Sequence, residues 1–310
     1  MFSIFIDGRN GTTGLRIVQR LAGRSDLKIL TLPEAQRRDP EARRALLNDC
    51  DVAILCLPDD AAREAASMVE NPHVRILDSS TAHRTTPGWT YGFPELCPQQ
   101  RAQILQSRRI AVPGCHASGF IALTAPLVRA GILKKEAQLC CHSLTGYSGG
   151  GKQMIAQYEA DETDAALSAP RQYGLNQNHK HLKEMQAISG LAQAPLFCPI
   201  VSNFYSGMLV TVPLFPSQLA AGTGIREIND AYQSAYPGPV VRCADLSEGG
   251  FLAANAAAGT DAMFIAVHGN AERILLTACY DNLGKGASGA AVQLLNLILG
   301  AKETEGLEGI

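Results

Sequence analysis

The run Ala111-Val112-Pro113-Gly114-Cys115-His116-Ala117-Ser118-Gly119 puts one cysteine at the joint between an apolar strand and a helix. Arg109 to Val112 reads as a short buried strand, and Phe120, Leu123, Thr124, Leu127 and Val128 recur at helical spacing. A thiol at a helix start faces unpaired N–H groups and the positive end of the dipole, both of which favour the thiolate. Gly114 removes a side chain beside the sulfur and allows backbone or ligand to come close. The chemistry this predicts for Cys115 is nucleophilic attack; the alternative is a buried structural thiol.

A second constellation is Asp7-Gly8-Arg9-Asn10-Gly11-Thr12-Thr13-Gly14, which follows the first apolar strand and opens the first helix. Its glycines are spaced GxxGxxG. Gly8, Gly11, Thr12, Thr13 and Gly14 therefore read as a backbone cradle for a dinucleotide pyrophosphate, with an ordinary Gly-rich turn as the alternative. No carboxylate ends the next strand, which closes on Leu32, and Arg37 and Arg38 follow soon after. Arginines at that place accommodate a 2′-phosphate, so NADP(H) is the expected cofactor, while Glu34 keeps NAD open.

Asp78-Ser79-Ser80-Thr81-Ala82-His83-Arg84 follows another strand and offers hydroxyls and a guanidinium for a phosphate or carboxylate. Gly146-Tyr147-Ser148-Gly149-Gly150-Gly151 permits close ligand approach in the same way. Asn178-His179-Lys180-His181-Leu182-Lys183-Glu184-Met185 opens a helical pattern and supplies histidines for proton transfer, with Glu184 placed to orient His179 if that residue precedes the helix. No CxxC or HExxH spacing accompanies it, so no metal is expected. Asp281-Asn282-Leu283-Gly284-Lys285-Gly286-Ala287 joins the last strand to the last helix, where Asn282 and Gly286 could face nicotinamide or phosphate.

These residues must be held by elements, and two patterns of element are visible. Strand-like Phe2–Ile6, Leu27–Leu32, Val52–Leu57, Val74–Leu77 and Arg109–Val112 alternate with helical stretches at Leu15–Leu21 and Asp60–Val69. That alternation predicts an α/β fold with a Rossmann-type, doubly wound parallel sheet. After the helix that follows Cys115, longer β-rich segments appear at Gln138–Leu144, Leu209–Leu214, Ala262–His268 and Arg273–Tyr280. They predict an α+β domain with a mixed or antiparallel sheet. The expected boundaries are residues 1–114 for the dinucleotide domain and 115–285 for the catalytic domain. The apolar helix Ala287–Leu299 is expected to return to the first domain within 286–310, with Glu303–Ile310 as a loose polar tail.

Composition narrows the function classes. At 310 residues, 46% hydrophobic and 18% charged, the chain has the make-up of a globular enzyme with room for two cores. A net charge of −2 gives no footprint for nucleic acid or an anionic membrane. No apolar run reaches membrane-span length, and the start of the chain lacks a basic region ahead of Asp7, so no signal peptide is expected. The 9 scattered cysteines fit reduced thiols in a cytoplasm better than a disulfide framework.

The order of the glycine loop, the PGC element, the Gly146–Gly151 loop, the HKH segment and the DNLGKGA turn resembles the N-acetyl-gamma-glutamyl-phosphate reductase family in its shorter form. Gly8–Gly14, Leu77–Leu96, Val112–Gly119, Ser206–Val212 and Asp281–Gly286 carry the likeness, which spans nearly the whole chain. The resemblance implies a Rossmann domain, a glyceraldehyde-3-phosphate-dehydrogenase-like catalytic domain, NADP(H), an acyl-phosphate substrate and a homodimer or homotetramer in arginine biosynthesis. It implies Cys115 as nucleophile, His179 as acid/base with His181 still open for that role, and Glu184 as the carboxylate orienting the ring. It also implies Arg84, with Ser79, Ser148 and Gly149, at the substrate. Two departures stand out: Lys183 replaces a proline before Glu184, and His116-Ala117-Ser118 replaces a Tyr-Pro-Thr common after the cysteine. An aspartate-semialdehyde-dehydrogenase-like reductase and, in another class, a cysteine hydrolase are the competing readings.

Overall fold

The computed structural model of the protein describes residues 1–162 and 164–310. The chain divides into two units: one of Met1–Pro94, Pro98–Gly114 and Ala287–Leu307, the other of Glu95–Cys97, Cys115–Gly286 and Glu308–Ile310.

In the first unit β1 (Phe2–Asp7), α1 (Thr12–Leu21), β2 (Leu27–Leu30), α2 (Pro40–Asp49), β3 (Val52–Leu55), α3 (Asp59–Ser67), β4 (Arg75–Asp78), β5 (Thr90–Tyr91), α4 (Pro98–Gln106) and β6 (Arg109–Ala111) succeed one another. The sheet order is β2-β1-β3-β4-β6-β5, and every pairing is parallel. Period-two alternation sends Ile4 and Ile6 to one face, against Ile17 and Leu21, and Phe5 to the other, against Leu47 and Leu55. Both faces are thus covered, as an all-parallel sheet requires. The closing helix Gly289–Leu299 buries Ala290, Ala291, Val292, Leu294, Leu295 and Ile298 in the first of these clusters. The order of strands turns back between β1 and β3, and ligands of such sheets bind beyond the carboxyl ends at that point.

The structure amends the expected elements in several places. β2 stops at Leu30 and β3 at Leu55, each two residues short of the expected end. Helices α2 and α4 were not anticipated, because few of their residues are buried and their apolar spacing is weak. The start of α2 was nonetheless written in the sequence: the Asp39 carboxylate accepts from the Glu41 N–H, and Pro40 takes the first helical position. The tail is not loose. Glu303 binds Arg101 and Gln293, and Asn296 donates to the carbonyls of Glu303 and Glu305.

The second unit holds α5 (Cys115–Arg129), β7 (Cys140–Gly146), α6 (Gly151–Tyr158), β8 (Arg171–Gln172), α7 (Leu182–Ser189), β9 (Leu196–Ser202), β10 (Met208–Leu214), α8 (Ile225–Ala235), β11 (Val241–Cys243), β12 (Met263–Gly269) and β13 (Ile274–Tyr280). Its sheet runs β11-β12-β13-β10-β7-β9-β8 and mixes parallel with antiparallel pairs. The mixed α+β pattern expected for this part is therefore present. Helix α5 packs on β10 and β13 and is buried from His116 to Val128. Pro126 inside this helix has no N–H to give the Ala122 carbonyl one turn back. Tyr236, just beyond α8, fills that place: its hydroxyl donates to Ala122 O at 2.7 Å, while Tyr232 donates to Leu123 O at 2.6 Å.

Candidate active site

Cys115 is the first residue of α5 and is half-buried. Its backbone is anchored from across the unit. The Tyr280 hydroxyl donates to Cys115 O at 2.5 Å and accepts from the Gly119 N–H at 3.0 Å, bracing the first turn of the helix from β13. Burial and the neighbouring Cys115 push the Tyr280 phenol well above its ordinary range, so it stays a neutral donor. Gly286 lies against the same cysteine: a Cβ there would sit 3.1 Å from Cys115 Cβ, so glycine preserves the room beside the thiol. Nothing in the sequence around Tyr280 pointed to this role; it follows from the sheet register alone.

Behind Cys115 sits a histidine cluster. His116 is buried in the first turn of α5, with Nδ1 2.7 Å from Ser143 Oγ on β7 and Nε2 2.7 Å from Tyr173 Oη. Its ring packs edge-on against His179 and Phe197, with centroids 5.8 and 5.3 Å away, and 5.7 Å from His181. Burial first, and then the electrostatic influence of the neighbouring His179, hold the His116 pKa down at about 3. His116 is thus neutral in the folded protein, with the rings of His179 and His181 packed against it. From the sequence His116 stood out only as a departure after the cysteine, and Tyr173 was not singled out at all.

The HKH segment lies just ahead of α7. His179 is half-buried, and its Nδ1 accepts the His181 backbone N–H at 3.2 Å, so Nε2 carries the proton of the neutral ring. His181 is buried, with Nε2 3.9 Å from Glu184 Oε1, one turn further on. The sequence reading pairs Glu184 with His179; the structure brings Glu184 within 3.9 Å of His181. The physical reason is helical spacing: residues three apart share a face once His181 caps the helix.

The turn after β13 and the Gly146–Gly151 loop also meet in this unit. Asn282 donates to Ser148 Oγ at 3.0 Å and accepts from the Gly207 N–H at 2.9 Å, and Gly149 lies close to the same amide. Asp281 ties the turn down by accepting from Ser206 Oγ and from the N–H groups of Gly259 and Leu283. Gly284–Ser288 then forms a π-helical turn, an irregularity that recurs at functional sites.

The dinucleotide candidates lie in the first unit. Gly8 has φ +83°, and a Cβ there would come 2.2 Å from Cys56 O at the end of β3, so only glycine fits. Gly11 precedes α1 without a side-chain cap, and Thr12 and Thr13 form its first turn, so that turn's N–H groups are presented to the loop. Beyond β1 and β2 opens a cavity of about 270 Å³, lined among others by Gly8, Asn10, Thr31, Arg37, Arg38 and Arg43. The Asp7 carboxylate in its wall is raised by burial, against the lowering pull of Arg43, which donates to it at 2.9 Å. Glu34 is engaged with Arg37, whose Nη1 donates to it at 2.7 Å. This fits a polyanionic dinucleotide: a side-chain-free cradle, a helix start and arginines on one cavity.

Arg84, read from the sequence as a phosphate ligand, is tied to the ends of two strands. It is buried, and its guanidinium donates to Val112 O at 2.9 Å and Ser79 O at 3.0 Å, bracing the ends of β6 and β4. The Ser79 hydroxyl donates to Leu55 O. Both residues secure strand ends in the first unit, because buried carbonyls beyond a sheet need donors.

Comparison with known proteins agrees with this division. Residues 3–104 match the semialdehyde dehydrogenase NAD binding domain, and residues 115–282 match the semialdehyde dehydrogenase dimerisation domain. N-acetyl-gamma-glutamyl-phosphate reductase 2 of Pseudomonas putida is 47% identical over 311 residues, covering 98% of each chain. The N-acetyl-gamma-glutamyl-phosphate reductase of Rhizobium meliloti is 49% identical over 306 residues, 96% of this chain and 99% of that protein. Among solved structures, aspartate semialdehyde dehydrogenase II of Vibrio cholerae superposes with a TM-score of 0.73 at 16% identity, over 96% of this chain and 98% of the other, a likeness of fold. The chain belongs to the semialdehyde dehydrogenase family and, within it, to the N-acetyl-gamma-glutamyl-phosphate reductases.

Proposed function

We propose that this chain reduces N-acetyl-gamma-glutamyl phosphate to the corresponding semialdehyde with release of phosphate, in arginine biosynthesis, through a thioester on Cys115. The observation that carries the reading is the setting of Cys115: a thiol at the start of a buried helix, its first turn braced by Tyr280, with a histidine cluster packed behind it. The full-length likeness to named reductases supports the substrate class.

In the reaction Cys115 Sγ attacks the γ-carbonyl and the phosphate leaves, forming the thioester. The Gly8–Gly14 loop, α1 and the arginines would hold NADPH, which would supply the hydride for the reduction. The α5 N-terminus favours the Cys115 thiolate and stabilises the oxyanion that forms above it. His179, whose Nδ1 accepts the His181 N–H and whose Nε2 carries the ring proton, protonates that oxyanion and takes the proton back as the aldehyde departs, with His181, its ring centroid 4.7 Å away, carrying the contact to Glu184. Ser148, Gly149 and Asn282 fix the loop that borders the substrate. Arg38 and Arg37 favour NADP over NAD, since the carboxylate that could hold a free ribose hydroxyl, Glu34, is taken up by Arg37. The free thiols of all 9 cysteines support a reducing, cytoplasmic setting, and the matched dimerisation domain supports a homo-oligomer.

The test is NADPH oxidation with N-acetyl-gamma-glutamyl phosphate, read together with phosphate release and repeated with NADH. One phosphate per NADPH and a clear preference for NADPH are expected. Cys115→Ser should lower turnover by at least about a thousandfold while leaving NADPH binding intact. Near-normal turnover in Cys115→Ser would end the covalent scheme.

A further inference from the structure

The sheet of the second unit carries a ligand cluster that this reaction does not use. β7 places Cys140 and His142 two residues apart, so both side chains leave the same face of the strand. β9 runs parallel beside it, with Cys198 opposite His142 in the register. The result is a triangle of soft donors. Cys140 Sγ lies 3.5 Å from His142 Nε2, and one ligand atom from each of the three residues lies within 4.8 Å of the others. A tetrahedral ion bound at about 2.3 Å by sulfur and about 2.0 Å by nitrogen spaces its S and N ligands by about 3.5 Å and two sulfurs by about 3.8 Å. The Cys140–His142 pair already meets the first spacing, and the other two pairs lie within 4.8 Å.

Its surroundings complete the picture. Cys198 is buried, Cys140 half-buried and His142 exposed, which gives a closed floor and one open side. Ser143, the partner of His116, points to the other face of β7, so the cluster is separate from the candidate active site. Two thiolates and an imidazole select a soft or borderline cation and discriminate against magnesium and calcium.

We propose that Cys140, His142 and Cys198 bind one Zn²⁺ ion, with water in the fourth position. Binding displaces the two thiol protons to solvent and involves no change of oxidation state. The spacing Cys-x-His on one strand, with a lone cysteine far along the chain, matches no short zinc motif. Only the pairing of β7 with β9 makes it a site.

The experiment uses full-length protein, reduced and freed of metal with a chelator, and titrates it with Co²⁺ and then Zn²⁺. One equivalent of Co²⁺ should produce a thiolate-to-metal absorption band that one equivalent of Zn²⁺ bleaches. His142→Ala, an exposed position with little bearing on folding, should weaken Co²⁺ binding at least about tenfold. Cys198→Ser should diminish the thiolate band, and Cys115→Ser should leave it unchanged. Loss of the band in Cys115→Ser, its persistence in both other variants, or its absence from the unaltered protein would each overturn the assignment.

Discussion

His116 shows how much one side chain can carry at the start of α5. Both of its ring nitrogens are engaged, by Ser143 and by Tyr173, and its ring is the surface on which His179 and His181 rest. Because burial lowers its pKa to about 3, it is neutral in the native protein, while the unfolded chain takes up a proton below its ordinary value of 6.5. The stability it contributes is therefore complete above about pH 6.5 and is lost as the pH falls toward 3. Between pH 6.5 and 5 this one residue should remove up to about 2 kcal/mol from the unfolding free energy. Urea denaturation at both pH values, compared between the unaltered protein and His116→Gln, measures the difference. Equal pH dependence in the two would show that the ring does not take up a proton on unfolding. The departure from Tyr-Pro-Thr was visible after Cys115 in the sequence. What stood in for it was not, since Ser143 and Tyr173 reach His116 only through β7 and the loop beyond β8.

At the scale of elements, α5 is the part on which the proposed chemistry hangs, and three tyrosines secure it. Tyr280 holds its first turn, and Tyr232 and Tyr236 serve the carbonyls around Pro126. In Tyr236→Phe the Ala122 carbonyl loses its tyrosine donor, and Pro126 can give it none, so the expected cost is about 1–3 kcal/mol. Pro126→Ala restores a backbone donor to that carbonyl, so Tyr236→Phe should cost less in the Pro126→Ala background. A double-mutant cycle of denaturation free energies checks it, and strict additivity would refute the coupling. The helix itself was readable from its apolar spacing. Its internal proline gave no hint of a partner, because the compensating hydroxyl lies beyond α8, far along the chain.

For the whole molecule, the telling feature is that the first unit is discontinuous in sequence. Its core needs Ala290, Ala291, Val292, Leu294, Leu295 and Ile298 from the closing helix, packed with Ile4, Ile17, Ile110 and Val112. Arg24, buried, adds a hydrogen bond to Asn296 at 2.8 Å. A chain ending at Gly286 leaves that cluster open. It should aggregate or elute as an expanded species and fail to bind NADPH, as size-exclusion chromatography and cofactor fluorescence would report. A chain lacking only Glu308–Ile310 should keep both properties, since those residues belong to the other unit. Compact behaviour and NADPH binding in the shorter chain would contradict the shared core.

What the sequence determined by itself was local. The strand–loop–helix at Gly8–Gly14, the helix start at Cys115, the alternation of the first unit and the β-rich character of the second are all set by neighbours within a few residues. Backbone freedom, capping and hydrophobic period act over that range. Tertiary structure alone decided which distant groups meet: Tyr280 with Cys115, Asn282 with Ser148, Arg84 with two strand ends, Cys198 with His142. These meetings depend on strand order and register. Burial of whole faces sets those, and no short stretch of residue types encodes them.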